Sequence, residues 1–221
     1  MTQLPLDLGH RASYGGDDFL VAPCNAAAVA WLDRWPDWPA PGLALSGPAG
    51  CGKTHLAHVF QARSGARLIR PAELCEESLA NLVEGNGELA LDGAPPVDER
   101  ALLHLYNLLA ERGGHLLILS REAPARWGVG LADLRSRLAA MPAIGIDPPD
   151  EVLMEGLLVK LFADRQLAVQ PEVVTYLVRR MERSFEAVRR MVARLDRESL
   201  ARRRPVTLPL AREIVESETA R

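Results

Sequence analysis

Residues 42–60 read GLALSGPAGCGKTHLAHVF, and this stretch decides the fold. The apolar run Leu43–Leu45 has the length of a buried strand, and a helical pattern begins after the loop that ends at Thr54. Between them stands G-P-A-G-C-G-K-T, the spacing of a P-loop, with a strand before it and a helix after it as that motif requires. A glycine turn that only starts a helix is the alternative interpretation, and it leaves the lysine and the threonine without a role.

Each residue type in this loop suits the binding of phosphate. Glycines let backbone N–H groups converge on the phosphate oxygens, Lys53 reaches the β- and γ-phosphates, and Thr54 offers a hydroxyl to Mg²⁺ at a positive helix end. The residues predicted to bind nucleotide in this segment are Gly47, Pro48, Ala49, Gly50, Cys51, Gly52, Lys53, Thr54 and His55.

A P-loop enzyme also needs a carboxylate at the tip of a neighbouring buried strand to hold the metal. The segment ELALDGAPPVDE supplies Asp92 after the apolar run Leu89–Leu91. An ordinary aspartate at a strand end is the alternative for this residue. A second acid normally follows to polarise the attacking water, but the next residue is Gly93. Asp98 and Glu99 take that role only if the loop folds back.

Further strands are predicted at residues 66–70, 115–120 and 143–147, and they alternate with helical segments. Such alternation predicts an α/β fold, a parallel sheet with helices on both faces. The predicted helix over residues 99–112 carries one apolar stripe, which we expect to pack in the core rather than to form a cofactor site. The stripe consists of Leu102, Leu105, Tyr106 and Leu109.

The alternation ends at Pro148-Pro149-Asp150, and the sequence beyond it has helical spacing throughout. We therefore expect an α/β nucleotide-binding subdomain over residues 13–148 and a small all-helical subdomain over residues 149–221. Residues 1–12 are expected to form a flexible tail.

The composition limits the classes of protein to which the chain can belong. Its 221 residues are 48% hydrophobic with a formal charge of −3, which suits one or two domains that bury a core. Cys24, Cys51 and Cys75 are odd in number and far apart, so we expect reduced thiols rather than a disulfide framework or a metal site. No signal-peptide pattern and no apolar stretch of about 18 residues is present, so a cytoplasmic protein without membrane contact is expected.

Positive charge is concentrated between Arg179 and Arg204, where ten arginines stand against four acidic residues. A solvated helical face and a surface that contacts phosphates or acids explain this excess equally well.

Several segments together resemble a known family. GPAGCGKTHLAH, LDG with LLHLYN, DLRSRLAAMP, PPDE and VTLPLAREIV occur in this order, and they resemble the AAA+ core of the bacterial replication initiator DnaA over nearly the whole chain. DnaA carries a further DNA-binding domain after its helical lid, whereas this sequence ends there. The resemblance therefore favours the Hda type of DnaA relative, a regulator that inactivates DnaA after replication begins. It implies an AAA+ P-loop core followed by a helical lid.

The resemblance also implies a mechanism and partners. With Mg²⁺ and ADP or ATP as cofactors, the protein would be tethered to the DNA-loaded sliding clamp and would promote ATP hydrolysis by DnaA, while its own ATPase activity stays weak. DNA would be contacted mainly through the clamp, which would place the protein at the nucleoid, and a homo-oligomer is compatible with this scheme. Arg137 falls at the family's trans arginine-finger position, with Arg135 as the alternative. A surface ion pair between Arg137 and Asp133 is the competing interpretation.

The N-terminal sequence MTQLPLDLGH resembles the clamp-docking peptide of Hda-type proteins. The residues expected to contact the clamp are Gln3, Leu4, Leu6 and Leu8. Gln3 offers an amide to the rim of a partner groove, while Leu6 and Leu8 offer apolar anchors. Pro5 disfavours a helix and pre-extends the peptide, which lowers the entropy lost on binding.

Three positions depart from the pattern of a competent ATPase. Gly93 replaces the second acid, Arg121 stands where a polar Asn or Asp is usual, and Glu186 stands where a lid arginine is expected. A carboxylate near a triphosphate is repulsive unless it points away, so Glu186 favours a bound diphosphate, or a phosphate contact made instead by Arg183 or Arg189. This is the profile of a protein that binds nucleotide and catalyses in trans.

The segment YGGDDFLVAPCN resembles the adenine pocket of the family, which implies that Phe19, Leu20 and Val21 pack around the adenine base. These residues equally well pin the tail to the core. Rival functions are a clamp-tethered adaptor without a catalytic role, a small-molecule P-loop kinase, and a helicase loader or DNA-remodelling ATPase, for which the arginine-rich segment is the support.

Overall fold

The computed structural model describes residues 21–95 and 97–219. These residues fall into two compact units, the first ending at Asp147 and the second beginning at Pro148. None of the helices in the described ranges is long and apolar enough to cross a membrane.

The first unit is built on a five-stranded sheet in which every pair of neighbouring strands is parallel. The strands are β1 (Gly42–Ser46), β2 (Arg67–Ile69), β3 (Glu88–Ala94), β4 (His115–Ser120) and β5 (Ala143–Gly145), in the order β2-β3-β4-β1-β5. The predicted strands at 66–70 and 143–147 are each shorter in the structure.

Helices accompany this sheet as the alternating pattern predicts. They are α1 (Ala26–Asp33), α2 (Lys53–Ser64), α3 (Leu79–Leu82), α4 (Glu99–Arg112) and α5 (Ala132–Ala140). Side chains of one strand alternate between two core clusters, because successive residues of a strand point to opposite faces. In β4, Leu117 and Leu119 join the cluster that contains Phe60 of α2, whereas Leu116 and Ile118 join the cluster that contains Leu105 of α4. The predicted stripe of α4 is buried, as expected of core.

The order of the strands corrects one expectation. The metal-binding acid Asp92 is expected on a strand directly beside β1, but β4 lies between β1 and β3. The register compensates, since Ser46 pairs with Ser120 and Asp92 pairs with Leu119, so that the three strands end nearly level. The P-loop after β1 and the acid of β3 therefore emerge at the same edge of the sheet.

The second unit is entirely helical in its described residues, which confirms the predicted change of fold class. Its helices are α6 (Glu151–Asp164), α7 (Pro171–Arg180), α8 (Phe185–Arg202) and α9 (Leu208–Thr219). Asp150 caps α6 by accepting from the N–H of Leu153 at 2.7 Å, and Ser184 caps α8 by accepting from the N–H of Ala187 at 3.0 Å. These caps satisfy backbone groups that have no partner inside the helix.

Candidate functional site

The predicted P-loop connects the end of β1 to the start of α2. Gly50 and Gly52 have φ angles of 70° and 99°, in the left-handed region that favours glycine. Gly52 is the N-cap of the 12-residue helix α2, so the loop bends over a helix N-terminus. Free N–H groups and the positive end of the helix dipole make such a terminus a binding site for anions.

Gly47 is required by the close packing at the start of the loop. A Cβ at this position would lie 2.4 Å from the carbonyl oxygen of Ile146 and 2.8 Å from the Sγ of Cys51, which is buried. Any side chain at Gly47 would therefore force the backbone to move, and the P-loop would lose its shape. The close packing at Gly47 thus maintains the cradle, the compact backbone shape that a phosphate-binding loop needs.

Lys53 lies against the loop that it is predicted to serve. Its Nζ donates hydrogen bonds to the carbonyl oxygens of Gly47 and Pro48, each at 2.7 Å, and lies 3.5 Å from the Sγ of Cys51. These contacts fix the ammonium group at the mouth of the cradle. His55 lies in the first turn of the same helix and is half-buried.

The two residues predicted to hold Mg²⁺ are in direct contact. The hydroxyl of Thr54 donates to a carboxylate oxygen of Asp92 at 2.8 Å, across the intervening strand β4. Oxygen ligands suit Mg²⁺, which is usually held by one or two carboxylates together with substrate phosphates rather than by an all-protein cage. In the described ranges, no group of three or more His, Cys, Asp or Glu forms a separate metal site. The residues therefore fit a magnesium ion that arrives with a nucleotide.

The acids after Asp92 are engaged elsewhere. Gly93 lies at an irregularity of β3 with a φ of 103°. Asp98 caps α4 by accepting from the N–H groups of Arg100 and Ala101 at 2.9 and 3.1 Å. Its carboxylate therefore serves the helix α4, and Glu99 serves the helix α5.

Glu99 anchors the start of α5. Its carboxylate accepts from the N–H of Gly130 at 3.0 and 3.1 Å and from the N–H of Leu131 at 2.8 Å. These hydrogen bonds hold the pKa of Glu99 below its ordinary value. Leu131 is the N-cap of α5 and supplies no capping side chain, so Glu99 performs that task from another helix. This role is not among those predicted from the sequence.

Arg137 lies on α5 with its side chain exposed. Across the described residues it forms no hydrogen bond or ion pair, so the competing ion pair with Asp133 is absent there. Burial raises the pKa of Tyr106 on α4, and the positive charge of Arg137 opposes this shift. By contrast, Arg135 donates to the carbonyl oxygen of Val129 at 3.2 Å. Of the two arginines, Arg137 is the one available to a partner.

Known proteins share this architecture. Domain III of DnaA from Thermotoga maritima matches with a TM-score of 0.75 and 19% identity over 98% of each chain. AMPPCP-bound DnaA from Aquifex aeolicus matches with a TM-score of 0.68 and 17% identity, over 80% of this chain and 63% of that one. A RuvB variant from Thermotoga maritima matches with a TM-score of 0.69 and 14% identity, over 88% of this chain and 68% of that one.

The family model of the Hda lid domain matches residues 156–215, which extend from α6 into α9. The helical second unit thus matches the Hda lid domain over these residues, and the described structure has the fold of DnaA domain III. The predicted resemblance is thereby confirmed for the fold and for the lid.

The lid arginine predicted to contact phosphate is engaged within the Hda-type lid. Arg183 donates to a carboxylate oxygen of Glu151 at 2.5 Å, and both side chains are exposed. Glu186 lies in the first turn of α8, where a negative charge is favourable, and it faces Arg190 at 3.7 Å. The contact of Arg183 with nucleotide stays a prediction.

The remaining predicted site residues are only partly described. Val21 is half-buried. Phe19, Leu20 and the clamp-contacting residues Gln3, Leu4, Leu6 and Leu8 lie outside the described residues.

We predict that Gly47→Ala lowers the affinity for ADP by about fivefold or more, because moving the P-loop backbone to relieve the clash costs about 1–3 kcal/mol. Titration with a fluorescent ADP analogue measures the effect. Gly128→Ala is the matched control, since a Cβ there meets no heavy atom within 4 Å. Equal affinities in the two variants would contradict the role of Gly47.

We predict that the stabilising effect of Glu99 depends on pH. A carboxyl whose pKa is lowered by folding stabilises the protein above its unfolded pKa, and this effect is lost as the pH falls through the lower folded value. The stability difference between the wild type and Glu99→Gln should therefore be largest near neutral pH and shrink below about 4.5, the ordinary glutamate value. Urea unfolding from neutral to acidic pH measures it, with Glu111→Gln on the same helix as control. A difference that does not change with pH would show that Glu99 holds no hydrogen-bonded carboxylate.

Proposed function

We propose that this protein is an Hda-type, DnaA-related regulator of replication initiation, which binds adenine nucleotide and promotes ATP hydrolysis by DnaA. The observation that carries the proposal is the match of residues 156–215 to the Hda lid domain, on a core whose fold is that of DnaA domain III. The P-loop and the exposed Arg137 supply the chemistry that such a regulator needs.

Nucleotide binding rests on the cradle of the core. Backbone N–H groups of the P-loop and the Nζ of Lys53 would bind the phosphates, and Thr54 and Asp92, which are in contact, would hold the accompanying Mg²⁺. AMPPCP is bound by the DnaA protein from Aquifex aeolicus, which has the same fold. We propose ADP as the resident nucleotide, because Glu186 replaces the expected lid arginine and the acids after Asp92 are engaged in structure.

Catalysis is proposed to act in trans through Arg137. Because the guanidinium is exposed and unpaired in the described structure, it can enter the nucleotide site of a DnaA molecule without breaking an existing hydrogen bond or ion pair. There it would neutralise charge that develops on the transferred phosphoryl group, an effect worth about 10³ to 10⁵ in known NTPases. The planar guanidinium also fixes the direction of its hydrogen bonds, which a lysine does not.

Recruitment is proposed to rest on residues 3–8, which would dock on the sliding clamp and bring the protein to replicating DNA. An extended peptide with a proline and alternating leucines fits a groove with apolar pockets. If this recruitment were the whole function, the protein would be an adaptor, and Arg137 would be dispensable.

We predict that Arg137→Ala abolishes most of the stimulation of DnaA, a loss of at least about a hundredfold given the usual effect of an arginine finger. ATP hydrolysis by DnaA is measured with clamp loaded on DNA. Arg137→Lys should recover little, since the charge remains but the fork of donors is lost. Arg135→Ala, which removes the same charge from the same helix, is the control.

The outcomes separate the two functions. Unchanged hydrolysis with Arg137→Ala would leave the adaptor, and a loss confined to Arg135→Ala would move the finger to Arg135. Binding of ADP and of clamp, measured on each variant, shows that the protein is folded and recruited.

We predict that removal of residues 1–9 eliminates binding to purified clamp but leaves ADP binding unchanged, because the peptide and the P-loop are separate parts of the chain. A pull-down on immobilised clamp tests this, with Leu6→Ala combined with Leu8→Ala as a milder variant. Retention of clamp binding by the truncated protein would refute the assignment of this peptide.

A further inference from the structure

A groove of about 530 Å³ runs along the lid beside α7 and the start of α9. Tyr176, which is half-buried, forms part of its lining together with Thr175, Arg179, Arg180 and Leu208. We call this feature the α7–α9 groove. It belongs to the lid alone and shares no residue with the P-loop.

The groove collects positive charge around an aromatic ring. The guanidinium carbons of Arg180 and Arg212 lie 5.9 and 5.8 Å from the centre of the Tyr176 ring, so they are at most about 12 Å from each other. Cation–π attraction holds guanidinium groups at such distances. Arg179 and Arg180 line the groove and Arg212 lies beside it against Tyr176, whereas Glu172 contributes one negative charge to the lining.

Several lid arginines are paired with acidic residues, but in the described part of the chain the three arginines at the groove are not. Arg183 pairs with Glu151, Arg190 with Glu186, and Arg202 with Glu198 and Glu213. Within the described ranges, Arg179, Arg180 and Arg212 form no ion pair with any carboxylate. No carboxylate of the described residues therefore neutralises these three guanidinium groups, and Tyr176 lies beside two of them. Of the two interpretations of the arginine-rich sequence, this arrangement favours a surface that contacts phosphates.

We propose that the α7–α9 groove binds single-stranded nucleic acid. Phosphates would lie on Arg179, Arg180 and Arg212, and one base would pack against Tyr176 and its neighbouring guanidinium groups. Cationic grooves with an aromatic platform bind single strands in this way, since every base has a face that stacks. A duplex keeps its bases stacked inside, and an acidic polypeptide offers carboxylates but no flat ring. The tyrosine therefore favours a single strand over both.

This proposal goes beyond the proposed function and does not depend on it. Docking on the clamp would bring the protein near DNA without any direct contact, whereas the groove would bind a strand in the absence of clamp, DnaA and nucleotide.

Fluorescence anisotropy of a labelled oligothymidylate of about 15 nucleotides, over a series of salt concentrations, tests the charge contribution. For Arg179→Ala combined with Arg212→Ala, the slope of log affinity against log salt should become shallower by about 1.4, or about 0.7 for each phosphate that the protein no longer neutralises. The control combines Arg189→Ala with Arg197→Ala, two exposed arginines of α8 that do not line the groove, and it should keep the slope of the wild type.

The contribution of the Tyr176 ring to binding is tested separately. Tyr176→Leu should weaken binding by about fivefold to a hundredfold, since stacking on one base is worth about 1–3 kcal/mol, whereas Tyr176→Phe should keep the affinity. Unfolding midpoints of both variants show whether the lid is intact. Absence of binding by the wild type at low salt would overturn the proposal. Equal salt slopes in the two double variants would also overturn it. So would a result in which duplex DNA or polyglutamate displaces the labelled oligothymidylate as well as an unlabelled single strand does.

Discussion

The hydrogen bond between Thr54 and Asp92 is the contact on which the proposed chemistry depends. It forms because parallel strands bring their carboxyl ends to one edge of the sheet, and because the register leaves β1, β4 and β3 ending nearly level. The helix that begins at Lys53 then places its positive N-terminus over the same edge. One geometric constraint of a buried parallel sheet thus brings together the P-loop and the oxygens predicted to hold Mg²⁺.

The acidic residues of the core have two different roles. Asp92 lies at the cradle, while Asp98 and Glu99 stabilise the ends of α4 and α5 through backbone N–H groups. An ATPase would need one of them to orient water. Here the carboxylate of Glu99 instead accepts hydrogen bonds at the start of α5. This is the helix that carries Arg137, the residue proposed to act on DnaA.

The sequence predicts the elements of the fold well, because each has a local physical signature, and the predicted site residues Thr54 and Asp92 lie in contact. Lys53 and Thr54 follow from the spacing of the P-loop, and the strand before Asp92 follows from its apolar run. The order of the strands and the contact of Glu99 with Gly130 were not predictable, since they depend on pairings between distant segments. The sequence did hold a signal for the contact of Glu99. Leu131, which precedes α5, has no side chain that can cap a helix, so the free N–H groups at the start of α5 needed a partner from another segment.

We propose that this core binds nucleotide without efficiently cleaving it. Single-turnover hydrolysis of bound ATP by the purified protein alone, measured beside the affinity for ADP, tests it most directly. We expect clear binding of ADP that is lost with Lys53→Ala, together with ATP cleavage far below the rates of about 1 to 10³ s⁻¹ that are typical of enzymes. Cleavage at those rates that disappears with Asp92→Asn would contradict it, because the core would then hold a complete hydrolytic site of its own.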